Sequence, residues 1–405
     1  MGEVDYLILG AGPAGCRAAQ TIRRRDTSGR VVILTEEPVP FTNRIVLSKE
    51  FLKSDLLTPE QAVAIPAGAL DRLGVELRIG RRISRLDPED AVVELADGEL
   101  IAYRRCLIAT GARPLALPVP GFDLPGVHTL RTLDDALALR RAAQCAARAV
   151  VIGGGLIGAE VACALAARGM EVTLVAREFW LWGHLAPEPV GRAAGRELER
   201  GGVGLHMERV VTAIHADGSD LAVETASGEV LRAPLVVAGV GVRTNVDFLA
   251  GSELLEPTGG VRVDARLRTT APGLWAAGDV AAFDDPLFGV RHRVEHWLHA
   301  QHQGRLAGEN MMGDEKVYAR VSAYDTRLFD LPVTVVGAPD LADRWTEAEI
   351  SSDERVTALG WREERLVAAY LLGSKAATGD MVKRIESGAE SVEEKLSPRP
   401  GPGSR

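Results

Sequence analysis

With 405 residues, 46% of them hydrophobic and 25% charged, the chain has ordinary globular usage and, at about 100–200 residues per domain, room for two to four domains. A net charge of −9 lacks the basic excess that nucleic-acid binders usually carry. No apolar run approaches the roughly 18–20 residues that span a bilayer, and Tyr6 opens a strand-like run with no basic-then-apolar leader before it, so a cytoplasmic protein without membrane or nucleic-acid partners is expected.

Tyr6 to Leu9 reads as a buried parallel strand, Gly10-Ala11-Gly12-Pro13-Ala14-Gly15 as a turn, and Cys16 to Arg25 as a helix. A second strand, Val31 to Leu34, leads to Glu36. In such a unit Gly10 permits the tight turn, Gly12 lets backbone approach a pyrophosphate, and Gly15 lets helix pack on strand. Helix N-terminal N–H groups then hold phosphate, and a carboxylate about 20 residues on, here Glu36, accepts ribose hydroxyls.

The pattern recurs. Ala149 to Ile152 is a strand, Gly153-Gly154-Gly155-Leu156-Ile157-Gly158 the turn, Ala159 to Arg168 the helix, and Val172 to Val175 the next strand. Both glycine runs sit in the strand–turn–helix–strand context that the chemistry needs, so two dinucleotides in one chain are expected. After the second unit comes Ala176-Arg177-Glu178. Arg177 favours a 2′-phosphate and NADPH, whereas Glu178 could serve the free ribose of NADH. The four cysteines, Cys16, Cys106, Cys145 and Cys163, form no CxxC and suggest neither a metal site nor a disulfide framework.

With these two fingerprints, the chain resembles the pyridine-nucleotide–flavin oxidoreductases, most of all the branch with bacterial ferredoxin and rubredoxin reductases and apoptosis-inducing factor. Further segments carry the resemblance. Cys106 to Arg113 (CLIATGAR) contains Ala109-Thr110-Gly111 at the family's crossing between domains. Val236 to Asn245 (VVAGVGVRTN), with Gly241, resembles the return crossing. Leu274 to Val280 (LWAAGDV), with Gly278 and Asp279, is similar to the second FAD signature. Pro40 to Leu52 and Arg293 to Gly313 resemble the segments beside the flavin. The resemblance implies an α/β fold of two Rossmann-like dinucleotide-binding domains with a small α+β C-terminal domain. It divides the chain into an FAD-binding part at 1–113 and 243–315, an NAD(P)-binding part at 114–242 and a C-terminal domain at 316–390. Residues 391–405, which end in a stretch rich in Pro and Gly from Ser397, are expected to be a disordered tail.

The resemblance also assigns roles. Lys49 stands near the flavin and pairs with Glu160, Trp297 lies against the ring, and Asp279 contacts the ribityl chain. Phe41, Asn43 and Arg44 lie near the ring or the FAD pyrophosphate. The family leans to NADH. Where disulfide reductases of this superfamily carry one or two cysteines, Phe41 to Leu47 has none, so electrons are expected to leave the flavin without a thiol relay. Three readings follow: a reductase of a small iron–sulfur or rubredoxin-type carrier, a diaphorase-like reductase of small acceptors, and a redox-controlled binding protein. The first calls for a basic docking face, and Arg291-His292-Arg293 is the candidate. No metal is expected, and the chain is read as a monomer or homodimer.

Overall fold

The computed structural model describes residues 3–39, 41–257, 259–348 and 357–389. The segment read as a tail lies outside them. Three sheets organise the chain. The first is parallel, in the order Leu274–Ala276, Cys106–Ile108, Tyr6–Leu9, Val31–Leu34 and Val75–Arg78. The second is also parallel: Val203–His206, Glu171–Val175, Arg148–Ile152, Leu235–Ala238 and Val127–His128. Their inner strands are continuous apolar runs because both faces are covered: every residue of Tyr6–Leu9 and Val31–Leu34 is buried. Each parallel sheet is accompanied by a three-stranded antiparallel sheet, built from residues 83–102 and 211–233 respectively.

The helices begin inside the glycine turns, three residues earlier than the sequence reading placed them: Pro13–Arg23 and Leu156–Ala167. Pro13 suits a first helical position, where no N–H partner is lost. The two turns have the same geometry. Gly10 and Gly153 both lie at φ +113°, and a Cβ on Gly15 or Gly158 would sit 2.0 Å from the carbonyl oxygen of Gly10 or Gly153.

The chain passes between the two parallel sheets along a ribbon in which Ala112–Pro114 pairs antiparallel with Val242–Thr244. Thr110 and Asn245 lock its base through reciprocal hydrogen bonds of 2.7 and 3.0 Å. The short helices Arg44–Leu47 and Glu50–Lys53 follow the first sheet in sequence but are held from the second half. Arg168 donates to the Leu52 carbonyl at 3.0 Å and pairs with Asp55, while Arg140 lies 4.0 Å over the Phe51 ring and donates to the Leu57 carbonyl. Arg140 belongs to the helix Leu133–Cys145, started by a capping box between Thr132 and Asp135.

The helix Trp297–Met311 crosses Pro13–Arg23 in direct backbone contact. A Cβ on Gly304 would lie 2.2 Å from the Ala14 carbonyl oxygen, and one on Gly308 2.9 Å from that of Ala18. The third sheet is antiparallel, in the order Ala323–Leu328, Leu331–Gly337, Arg365–Leu372, Thr357–Arg362 and Arg344–Ala348, with the helix Thr378–Glu386 packed on it. Its strands include Val333 to Val336 and Val367 to Leu372, both read as strands from the sequence.

Candidate functional site

A cleft of about 790 Å³ runs along the carboxyl ends of the first sheet, where ligands of doubly wound folds bind. At one end lie Gly10, Gly12, Pro13 and Ala14. Gly12 caps the helix with no side-chain bond, and a Cβ there would meet nothing within 4 Å. The first backbone N–H groups of the helix therefore face open space, a ready anion cradle. Glu36, Arg81 and Arg82 line the same end.

Two arginines stand further along. Arg131 pairs with Asp279 at 3.0 Å, and its Nε is buried with no hydrogen-bond partner. Arg44 pairs with Glu37. Burial, and then the charge of Arg131, hold the Arg44 guanidinium below its usual range. Two cations that oppose each other beside an orphaned donor fit an anion of more than one charge, such as a pyrophosphate. Asp279 is aimed by the turn before it: Gly278 adopts φ +81°, and its N–H donates to the buried Gln303 side chain at 2.8 Å.

The far end is where the two halves converge. Glu160, on the helix that follows the second glycine turn, is 7% exposed and meets Lys49 Nζ at 2.8 Å. Ser48 and Thr326 both donate hydroxyl hydrogen bonds to the same carboxylate. Glu160 thus ties its own helix to two other parts of the chain, the short helices at Ser48 and Lys49 and the third sheet at Thr326. Leu156 and Ile157 line the wall beside it. Trp297 also lines the cleft and stacks on Phe41 with centroids 4.8 Å apart and planes 19° from parallel. His296, which precedes Trp297, lies against Tyr324 at 4.7 Å. Burial holds the His296 imidazole down at about 4, so it is neutral at neutral pH. Burial also pushes the neighbouring Glu295 carboxyl up.

The sequence-chosen residues divide by place. Ala109, Thr110, Gly111, Gly278 and Asp279 line the cleft with those above. Gly15 and Gly158 lie behind the turns as packing contacts. Gly153 and Gly155 form a second turn outside the cleft lining, as do Arg177 and Glu178 after the strand Glu171–Val175, and Gly155 again leaves a helix N-terminus without a side-chain cap. The Glu178 carboxylate folds inward, 3.7 Å from where a Gly154 Cβ would lie, and is 18% exposed. Arg177 is 77% exposed and reaches back to Glu178 at 3.3 Å. Gly241 accepts from Leu115 N in the crossing ribbon and does not line the cleft.

The proposed basic face at Arg291-His292-Arg293 needs correction. Arg291 is neutralised by Asp284 and Glu256, at 2.8 and 2.9 Å, and Arg293 by Glu295 at 2.8 Å. His292 is buried and bonded to Asp285 at 3.1 Å. The hairpin of Ala281–Asp285 with Val290–His292 puts Asp284 opposite Arg291. The sequence reading also missed Arg131, Ser48, Tyr324 and Thr326, none of which stands in a glycine motif.

The family of pyridine nucleotide-disulphide oxidoreductases matches residues 4–304, which include both glycine turns and the Lys49–Glu160 pair. The chain belongs to that family. It is 35% identical over 339 residues to the ferredoxin–NAD(+) reductase component of the anthranilate 1,2-dioxygenase system of Burkholderia cepacia, covering 83% of this chain and 82% of that one. It is 30% identical over 382 residues to rubredoxin–NAD(+) reductase of Pseudomonas putida, covering 93% and 98%. Among solved structures it is similar to the ferredoxin reductase for the CYP199A2 system of Rhodopseudomonas palustris, with a TM-score of 0.87, 29% identity and coverage of 95% and 97%. Although the family is described by disulphide chemistry, no cysteine is among the described residues that line this member's cleft. Cys16 and Cys163 are buried, and burial pushes both thiols up to about 12. No helix of the described residues is long and apolar enough to cross a membrane.

Proposed function

We propose that this chain is an FAD-dependent NAD(P)H oxidoreductase that delivers electrons to a small iron–sulfur or rubredoxin-type carrier. The observation that carries the reading is the convergence at Glu160: the helix of one dinucleotide turn delivers a carboxylate to a lysine at the end of the cleft that begins at the other. When bound, FAD would take two electrons as hydride from the nicotinamide and return them singly to the carrier.

The residues supply binding, orientation and electrostatics. The open N–H groups around Gly12, with Arg131 and Arg44, would hold the FAD pyrophosphate, and Glu36 the adenosine ribose. Asp279, held by Arg131, would accept a hydroxyl of the ribityl chain. Trp297, backed by its stack on Phe41, would offer an aromatic face along the cleft wall. Lys49, fixed by Glu160, places a positive charge where negative charge develops on reduction. Replacing Arg131 with alanine removes a charged donor and leaves Asp279 unpaired. FAD retention should weaken about tenfold or more in equilibrium dialysis of the flavin.

For the second nucleotide the inward Glu178 and the outward Arg177 favour NADH. Glu178→Ala should raise KM for NADH about tenfold with kcat little changed, and Arg177→Ala should leave KM for NADH near its starting value. A large rise in KM for NADPH in the second variant, with KM for NADH unmoved in the first, would transfer the preference to NADPH. The cytoplasm, where NADH is supplied, is the setting this reading calls for.

The test is anaerobic stopped-flow. The FAD-loaded protein is mixed with NADH or NADPH, then with an oxidised one-electron carrier or with oxygen. Fast bleaching followed by fast reoxidation with the carrier alone supports the reading. Fast reoxidation by oxygen or quinones would make it a diaphorase-like enzyme. A lasting long-wavelength band with slow reoxidation by every acceptor would make it a redox-controlled binding protein.

A further inference from the structure

The strand Glu171–Val175 hands the chain to Ala176-Arg177-Glu178, and residues 179–186 then fold back as a strap before the helix Glu188–Arg200 begins. Two residues of the strap are tryptophans. Trp182 is 1% exposed and sits at φ +61°, a left-handed backbone that a bulky side chain rarely adopts. Its N–H donates to the Gly154 carbonyl at 2.8 Å, and its carbonyl accepts from Leu185 and Ala186 N–H, both at 2.7 Å. Its indole N–H is buried with no partner. Strain and an orphaned donor persist where the surroundings dictate the conformation, so this part of the strap is pinned to the second glycine turn. Trp180 fixes the other side. Its ring fills a notch that Gly191 leaves in the helix: a Cβ on Gly191 would lie 2.2 Å from Trp180 Cδ1 and 2.4 Å from the Leu181 carbonyl oxygen. The Trp180 indole N–H donates to the Ala186 carbonyl at 3.0 Å, which closes the strap on itself.

Glu178 lies inside this fold. A Cβ on Gly183 would lie 3.2 Å from Glu178 Cβ, and one on Gly154 3.7 Å from Glu178 Oε2. The backbone is held from the other side by the segment after the strand Val203–His206: Glu208 N–H donates to the Glu178 carbonyl at 3.0 Å and Arg209 N–H to the Ala176 carbonyl at 2.8 Å. A carboxylate fixed there accepts ribose hydroxyls and repels a 2′-phosphate. We propose that Trp180 and Trp182 are positioning residues for nucleotide choice. By locking the strap on the Gly154 turn and in the Gly191 notch, they keep Glu178 turned inward and Arg177 outward, and deny this link the swing that would bring Arg177 to a 2′-phosphate. The proposal rests on the reading of Glu178 as the ribose acceptor.

The test uses the FAD-loaded full chain and its variants, and reads Kd for NADH and for NADPH from the concentration dependence of anaerobic flavin bleaching. In Trp180→Ala the ratio of Kd for NADPH to Kd for NADH should fall about tenfold, while the limiting bleaching rate at saturating NADH stays unchanged. Trp180→Phe keeps a ring in the notch and should stay near the starting ratio. Added to Glu178→Ala, Trp180→Ala should change the ratio by about twofold at most, because it acts through that carboxylate. Gly191→Ala expels the ring from the helix side with both tryptophans in place; it should lower the ratio too, and it decides the matter if Trp180→Ala does not fold. An unchanged ratio in these variants, even with lowered thermal stability, would overturn the proposal, as would an effect of Trp180→Ala that adds in full to that of Glu178→Ala. If Glu178→Ala itself leaves Kd for NADH unmoved, the ribose reading fails and the strap loses its role with it.

Discussion

Replacing Lys49 with methionine should slow bleaching of the bound flavin by NADH about a hundredfold while leaving FAD in place. Methionine keeps the length and apolar stem of the side chain and deletes only its charge. That charge is held 2.8 Å from Glu160, which is itself fixed by hydroxyls from Ser48 and Thr326. With the cation gone, the buried carboxylate faces the flavin uncompensated, so the reduced anionic form loses stabilisation and meets repulsion. The flavin potential, read in an anaerobic dye titration, should therefore become more negative in the same variant. Glu160→Gln should have a smaller effect of the same kind, because it leaves the charge but loosens its position. Bleaching at the wild-type rate with an unchanged potential would reduce the pair to a structural tie.

Gly15→Ala should yield protein without flavin, and Gly12→Ala folded protein with weakened flavin. The new methyl group at Gly15 would sit 2.0 Å from the Gly10 carbonyl oxygen and 3.1 Å from Ile8 Cγ2. Backbone on that side cannot withdraw, since Gly10 is itself tied into the sheet by its N–H bond to Leu34. The turn must open, at a cost of about 1–3 kcal/mol or more in stability. At Gly12 a Cβ meets no protein atom within 4 Å, so the thermal midpoint without flavin should stay where it is. Any loss of FAD affinity there reports close approach by the phosphates. The 450 nm absorbance of purified protein and circular-dichroism melting distinguish the two, and equal behaviour of both variants would remove the different roles given to these glycines.

The glycine turns were legible in the sequence because a tight turn, a backbone opening and a close packing contact each tolerate only glycine, at fixed intervals. Helix starts were read three residues late, since the first helical turn lies within the fingerprint itself, at Pro13 and Leu156. Lys49 and Glu160 were paired through family resemblance, but their tethers were not. Thr326 comes from the third sheet, 166 residues from the carboxylate it binds, and nothing local marks it. Arg131 is equally silent: locally it is one arginine before a helix cap, and only the fold sets it against Asp279, 148 residues away. The basic run at Arg291 failed for the opposite reason. A run of cations in sequence says nothing of the carboxylates that a hairpin and a distant loop bring to it, here Asp284 and Glu256.

The short helices that carry Lys49 have a divided allegiance. Their chain continues the first sheet, yet Arg168 and Arg140 clasp them from the second half, at the Leu52 and Leu57 carbonyls and around Phe51. Lys49 is in effect cargo of the lobe that supplies Glu160. Were the two lobes to shift relative to each other, lysine and glutamate would travel as a unit, and the distance that changed would be the one from this pair to the Gly10–Ala14 turn. The ion pair would keep its geometry through such breathing, while the charge it presents could advance and withdraw along the cleft.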